Sequence, residues 1–137
     1  MNRYLISGLA VSGFALFSCV TEPCGCTPAV TRLIVVGTVS QADETPVADA
    51  AIAVGEQGTS CPPSGQPDDE FFIIGEATSD AAGAFLADVL STSGPGERCV
   101  IVRAAAGNDT TRVAGVAEFR LDGEPDTLTV AITLGGE

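Results

Sequence analysis

The chain has 137 residues, with 18 acidic side chains, 6 basic ones (all Arg) and no His, for a formal charge of −12. That balance argues against nucleic-acid binding, which needs clustered Lys or Arg to displace counterions, and the lack of His removes serine–histidine triads, imidazole acid–base chemistry and histidine metal sites. With 16 Gly, 8 Pro and Val- and Thr-rich runs, the length fits one small all-β domain.

Met1-Asn2-Arg3-Tyr4 carries one positive charge and precedes an apolar run of 13 residues, Leu5 to Phe17. A transmembrane helix needs about 20 such residues, whereas a charged start and a short apolar stretch make a secretory signal. The run stops at Leu16-Phe17-Ser18-Cys19, which resembles the bacterial lipobox: Leu three positions before a Cys and a small residue directly before it. Phe17 departs from the small or polar residue usual there. The resemblance implies that residues 1–18 are a lipoprotein signal peptide and that Cys19 is acylated, with palmitate-type chains holding the protein to a membrane of the cell envelope. Val20 after the Cys favours the outer membrane where the cell has one. Each buried acyl CH₂ contributes about 0.8 kcal/mol, so two or three chains anchor stably. The mature chain then has 137 − 18 = 119 residues, a charge of 5 − 18 = −13, and no His, Lys, Trp, Tyr or Met.

Residues 19–30, with two Pro and little apolar periodicity, read as a tether. From Thr31 onward, short β-type runs alternate with Gly, Pro, Asp and Ser clusters. The first strand, Arg32 to Ser40, is almost continuously apolar, so both of its faces are expected to be covered. Val47 to Gly55 forms the second. A long loop over 56–69 leads to a third strand, Glu70 to Thr78. After a tight connection at Ser79–Gly83, residues 84–91 alternate, with Phe85, Ala87 and Val89 opposite Leu86, Asp88 and Leu90. Arg98 to Ala105 places Val100, Val102 and Ala104 on one face. Arg112 to Leu121 places Ala117, Phe119 and Leu121 together. In the last strand, Thr127 to Leu134, Leu128, Val130, Ile132 and Leu134 face in and the Thr residues face out. Seven strands of this size make a small two-sheet sandwich with a Phe-poor, Ala-rich core.

Three stretches carry a second resemblance: Val36-Gly37-Thr38-Val39, then Thr45-Pro46-Val47-Ala48-Asp49-Ala50, then Thr78-Ser79-Asp80-Ala81-Ala82-Gly83-Ala84-Phe85. They are similar to the carboxypeptidase regulatory-like (transthyretin-like) domain. The resemblance implies a seven-stranded, Greek-key-type, prealbumin-like sandwich over residues 31–135, an accessory module mostly without catalytic activity. The residues also have direct readings. Gly37 permits a close approach within a strand, Thr45-Pro46 begins an extended segment, and Asp80 with Gly83 builds a turn. Enzymes on such sandwiches that use His with a basic residue, or iron held by His and Tyr, are excluded because the mature chain has neither His nor Tyr.

With Cys19 acylated, four cysteines remain, and an even number in an exported domain favours disulfides. Cys61–Cys99 would pin the long loop to a core strand. Cys24–Cys26 would close a strained ring, and a tether Cys could instead join Cys61 if the first two strands were antiparallel neighbours. A cysteine nucleophile lacks a His or Lys to lower its pKa. Asp122, Glu124 and Asp126 are Ca²⁺ candidates in an acidic loop without EF-hand spacing. The expectation is a non-catalytic, lipid-anchored envelope protein without cofactor, acting as a structural or interaction module toward another envelope protein. The alternative is a Ca²⁺- or small-ligand-binding module of the cell surface.

Overall fold

The computed structural model describes residues 30–61, 71–121 and 124–135. The expected signal peptide, Cys19, Cys24, Cys26, most of the expected tether and Asp122 lie outside the described residues. Seven strands are present: β1 (Thr31–Gln41), β2 (Ala51–Gln57), β3 (Phe72–Thr78), β4 (Ala84–Ser91), β5 (Gly96–Ala106), β6 (Asp109–Phe119) and β7 (Asp126–Leu134). They form two sheets, β4-β1-β7 and β3-β2-β5-β6, the all-β sandwich expected from the alternating runs. Every pairing is antiparallel except β1 with β7, which is parallel.

The period of two places Leu33, Val35 and Val39 of β1, Phe85, Ala87 and Val89 of β4, and Ile132 and Leu134 of β7 in the interior. Ile52 and Val54 of β2, Val100, Val102 and Ala104 of β5, and Ala117 and Phe119 of β6 meet them from the other sheet. Phe85 and Phe119 are the only aromatic residues in this cluster. Val, Ile, Leu and Ala do the rest, each fully buried Val or Leu contributing roughly 1.5–3 kcal/mol.

Small residues let the layers close. A Cβ on Gly37 would lie 2.6 Å from the Phe85 ring, which crosses β1 at that point, in keeping with the close approach expected of Gly37. A Cβ on Gly75 of β3 would lie 2.1 Å from Val89 of the facing sheet.

Three expectations are corrected. The segment 47–50 is not strand: Pro46 makes an isolated bridge to Ser40, Asp49 takes a φ of 57°, and β2 starts at Ala51. β1 is fully covered on one face only, since Ile34 and Val36 on the other are half-buried. Leu121 follows the last rung of β6 and is exposed instead of facing inward with Phe119.

The turn from β3 to β4 follows from Ser79, Asp80 and Gly83. Asp80 Oδ1 accepts from the amides of Ala82 and Ala84, each at 2.9 Å, and the Gly83 amide donates to the Asp80 carbonyl. The buried Ser79 hydroxyl donates to Val47 O at 2.7 Å and accepts from the Ala50 amide at 2.9 Å, tying the turn to the start of β2. Gly83 has a φ of 75°, and a Cβ there would sit 2.3 Å from the Val39 carbonyl oxygen. Gly83→Ala is therefore expected to cost about 3 kcal/mol, combining left-handed backbone strain with a backbone clash. Urea unfolding checks this, and an unchanged midpoint would refute it.

Candidate functional site

The two outer faces of the sandwich differ. On the β3-β2-β5-β6 sheet, the outward side chains of β5 are buried beside the described ends of the connection between β2 and β3, while Ile73 of β3 and Val116 of β6 stay exposed. Cys61 and Cys99 form a disulfide, with Cα atoms 4.8 Å apart, and the Cys99 amide donates to the Gly58 carbonyl at 3.0 Å. At the far side of the connection, Phe71 lies against Gly55, where a Cβ would come within 2.0 Å of its ring. The Arg103 guanidinium stands 5.4 Å from the centre of that ring. Cys99 and Ile101 are fully buried there, although both point away from the interior. The bond uses Cys61, so it takes no tether Cys, and β1 and β2 belong to different sheets instead of being neighbours.

On the β4-β1-β7 sheet nothing equivalent is present among the described residues. The register places Leu86, Val36 and Thr129 in one row and Asp88, Ile34 and Thr127 in the next. Leu90 stands opposite Arg32. Leu86 is 62% exposed and Leu90 57%, while Ile34 and Val36 are half-buried. Arg32 crosses to Asp88: Nε donates to Oδ1 at 2.7 Å and a terminal nitrogen pairs with Oδ2. Those hydrogen bonds, with the Arg32 charge, hold the Asp88 carboxyl below the usual carboxylate range. The surface is an apolar strip of Leu86, Val36 and Ile34 bordered by an ion pair on one side and threonines on the other. Among the described residues, β4 and β7 are the outer strands of this sheet and flank the strip.

A polar cluster occupies one end of the sandwich. Glu56 closes β2 in the inward register of Ile52 and Val54, and Arg98 opens the inward register of Val100 and Val102. Their ion pair spans 3.0 Å, with side chains 11% and 13% exposed respectively. Ser91 Oγ donates to both Glu56 oxygens, at 3.1 and 3.0 Å, and Ser93 Oγ donates to Oε1. Arg98 also donates to the carbonyls of Ser93 (2.7 Å) and Gly94, and its guanidinium lies 5.3 Å from the centre of the Phe119 ring. Burial alone would raise the Glu56 carboxyl, but the hydrogen bonds from Ser93, Arg98 and Ser91 and the Arg98 charge outweigh it, and the group lies below its ordinary range. A shallow cleft of about 360 Å³ opens beside the cluster, lined by Glu56, Gly58, Thr59, Phe72, Ser93 and Arg98. Because the Glu56 and Arg98 groups facing it are already engaged with each other and with the 92–95 turn, the cluster is a brace. The sequence signal for it was a charged residue in inward register at the mouth of each of two paired strands.

The acidic-loop candidates do not converge. Asp126 accepts from the Glu118 amide at 3.1 Å through Oδ2 and from the Thr127 amide at 3.0 Å through Oδ1, so it fixes the start of β7. Glu124 is exposed, and among the described residues no group of three acidic, Cys or His side chains could hold a metal.

No protein-family model matches the chain, and no curated protein does. Among solved structures the sandwich is similar to (S)-allantoin synthase, at 10% identity and a TM-score of 0.39, over 74% of this chain and 40% of that one. The likeness says nothing of activity. The chain spans well under half of that protein's length.

Proposed function

We propose that the chain is a non-catalytic, lipid-anchored module of the cell envelope that acts by binding another envelope protein, with a transthyretin-like, carboxypeptidase regulatory-like sandwich as its scaffold. The observation that carries this reading is the uneven treatment of the two outer faces. Ile101, at the centre of one outer face, is buried, whereas Leu86 on the other stays exposed beside Ile34 and Val36. Exposed apolar strips with a polar border are characteristic of interaction sites. The outer strand β4 next to the strip adds main-chain donors and acceptors, which suit strand addition and need no aromatic anchor. The leader and Cys19 supply the address, since export and acylation place this face where envelope proteins meet.

Intact-mass measurement of the membrane-extracted protein is expected to show acylation at Cys19 and one disulfide in the domain. Crosslinking in intact cells, compared between the wild type and Leu86→Glu, then tests the contact. A partner crosslinked by the wild type should be lost from the variant, with binding weakened about tenfold or more as for the loss of an interface anchor. Identical crosslinking by a folded, acylated Leu86→Glu chain would rule this face out.

A further inference from the structure

The strand directions gather the beginnings of β1, β3, β5 and β7 and the ends of β2, β4 and β6 at one end of the sandwich. The bridge between Arg32 and Arg120 and the pairing of Thr31 with Ser91 fix this arrangement. This is the end from which the tether leaves. It carries Val30 (47% exposed), Phe72 (75%), Leu90 and Leu121 (54%), with Pro95 and Leu121 lining one shallow hollow. The opposite end, formed by the turns at 41–50, 79–83 and 107–108, has none of the exposed large apolar side chains found among the described residues. It carries Asp43, Glu44, Asp49 and Asp80 instead, with Asp109 at the first position of β6. Arg32, Arg98 and Arg120, three of the five Arg in the mature chain, lie at the tether end and pair with Asp88, Glu56 and Glu118, and Glu97, Glu124 and Asp126 lie at that end as well.

We propose that the tether end is a membrane-contact surface: Val30, Phe72, Leu90 and Leu121 enter the interfacial layer of the phospholipid bilayer that holds the acylated Cys19. This rests on the lipidation reading given above. Eleven residues, 20–30, separate Cys19 from Thr31, and even fully extended they reach no farther than about 40 Å. That leash holds the apolar end close to the bilayer, and so short a linker makes the effective concentration high enough for a contact too weak to bind alone. Apolar side chains on interfacial segments sit roughly 5–10 Å into the boundary between headgroups and acyl chains. The short leash and the apolar side chains gathered at this end together orient the sandwich with its tether end down and leave the Leu86 strip on its side accessible.

The mature chain contains no Trp or Tyr, so one introduced Trp is a clean reporter. The full chain, acylated in cells and reconstituted into phosphatidylethanolamine–phosphatidylglycerol vesicles, is compared as Leu121→Trp, Leu90→Trp, Leu86→Trp and Ala48→Trp. The first two are expected to show blue-shifted emission and strong quenching by lipids brominated near the headgroup, with weaker quenching by lipids brominated near the chain end. Ala48→Trp should show neither effect, and Leu86→Trp should be quenched much less than Leu121→Trp. An acylated chain with unquenched probes at 90 and 121 overturns the contact and leaves the anchor standing. Quenching at 86 equal to that at 121 means the domain lies on its sheet face, which also overturns it. A chain without acyl mass at Cys19 overturns the anchor and the contact together.

Discussion

Reduction of the Cys61–Cys99 bond is expected to lower the stability of the domain by about 4 kcal/mol. The bond closes a separation of 38 residues, and a loop of that length restricts the unfolded chain by roughly that amount in the chain-entropy model. The folded state loses something as well. Cys99 is fully buried on the outside of β5, and the described contacts on that face are the bond from Cys61 and Phe71 against Gly55. Urea unfolding with and without reductant, alongside Cys61→Ala, measures the effect. For a domain of about this size a loss of 4 kcal/mol corresponds to a fall in Tm on the order of 15 °C. Cys61→Ala in oxidising conditions should match the reduced wild type, because both free the same connection. A reduced protein that keeps its midpoint would mean that Phe71 and Ile101 hold that face unaided.

The sequence was most informative where a physical period governs it. The clearest strands, β4 and β7, show because one side of each faces the interior and the other water, so apolar residues recur at every second position, whereas β1, β2 and β5 show as near-continuous apolar runs. The patterns of β4 and β7 match the observed strands almost residue for residue. Pattern and structure part where that period stops carrying information. Residues 47–50 keep an alternating pattern, yet Pro46, the φ of 57° at Asp49 and the Ser79 hydroxyl hold them as a turn. Leu121 continues the inward set of Phe119, but β6 has run out of partners by then and its side chain reaches solvent. Sheet order was not legible from pattern. The parallel pairing of β1 with β7 joins strands at opposite ends of the domain, and nothing local in either strand encodes it.

The features that bear on function were less visible for a related reason. Leu86 and Leu90 read simply as the outer residues of an alternating strand. Their significance emerges only when the register sets them beside Ile34 and Arg32. The polarity of the two ends likewise depends on strand direction, which brings Val30, Leu90 and Leu121 together from positions far apart in the chain. The absence of His was legible at once and still limits the chemistry available to every surface described above.

Removing Arg98 alone is expected to destabilise the sandwich by about 3–5 kcal/mol, because it strands the Glu56 carboxylate in a largely buried position. Arg98→Met also opens the carbonyls of Ser93 and Gly94 and uncovers one face of the Phe119 ring. The paired change Glu56→Gln with Arg98→Met should cost clearly less than Arg98→Met alone, since a neutral amide can still accept from Ser91 and Ser93 and no charge is stranded. Additive losses would mean that the brace acts through packing and not through charge. The pH dependence supplies a second measurement. The folded protein holds the Glu56 carboxyl below its ordinary range, so the unfolded chain binds the proton more readily. Its stabilising contribution is therefore complete above the ordinary glutamate range and is lost as pH falls through the lower folded value. Glu56→Gln removes this titration, so its stability should fall less than that of the wild type as the solution is acidified through that window. An unaltered acid slope in Glu56→Gln would assign the acid sensitivity to the surface carboxylates instead, with Asp88, held down by Arg32, the first of them to test.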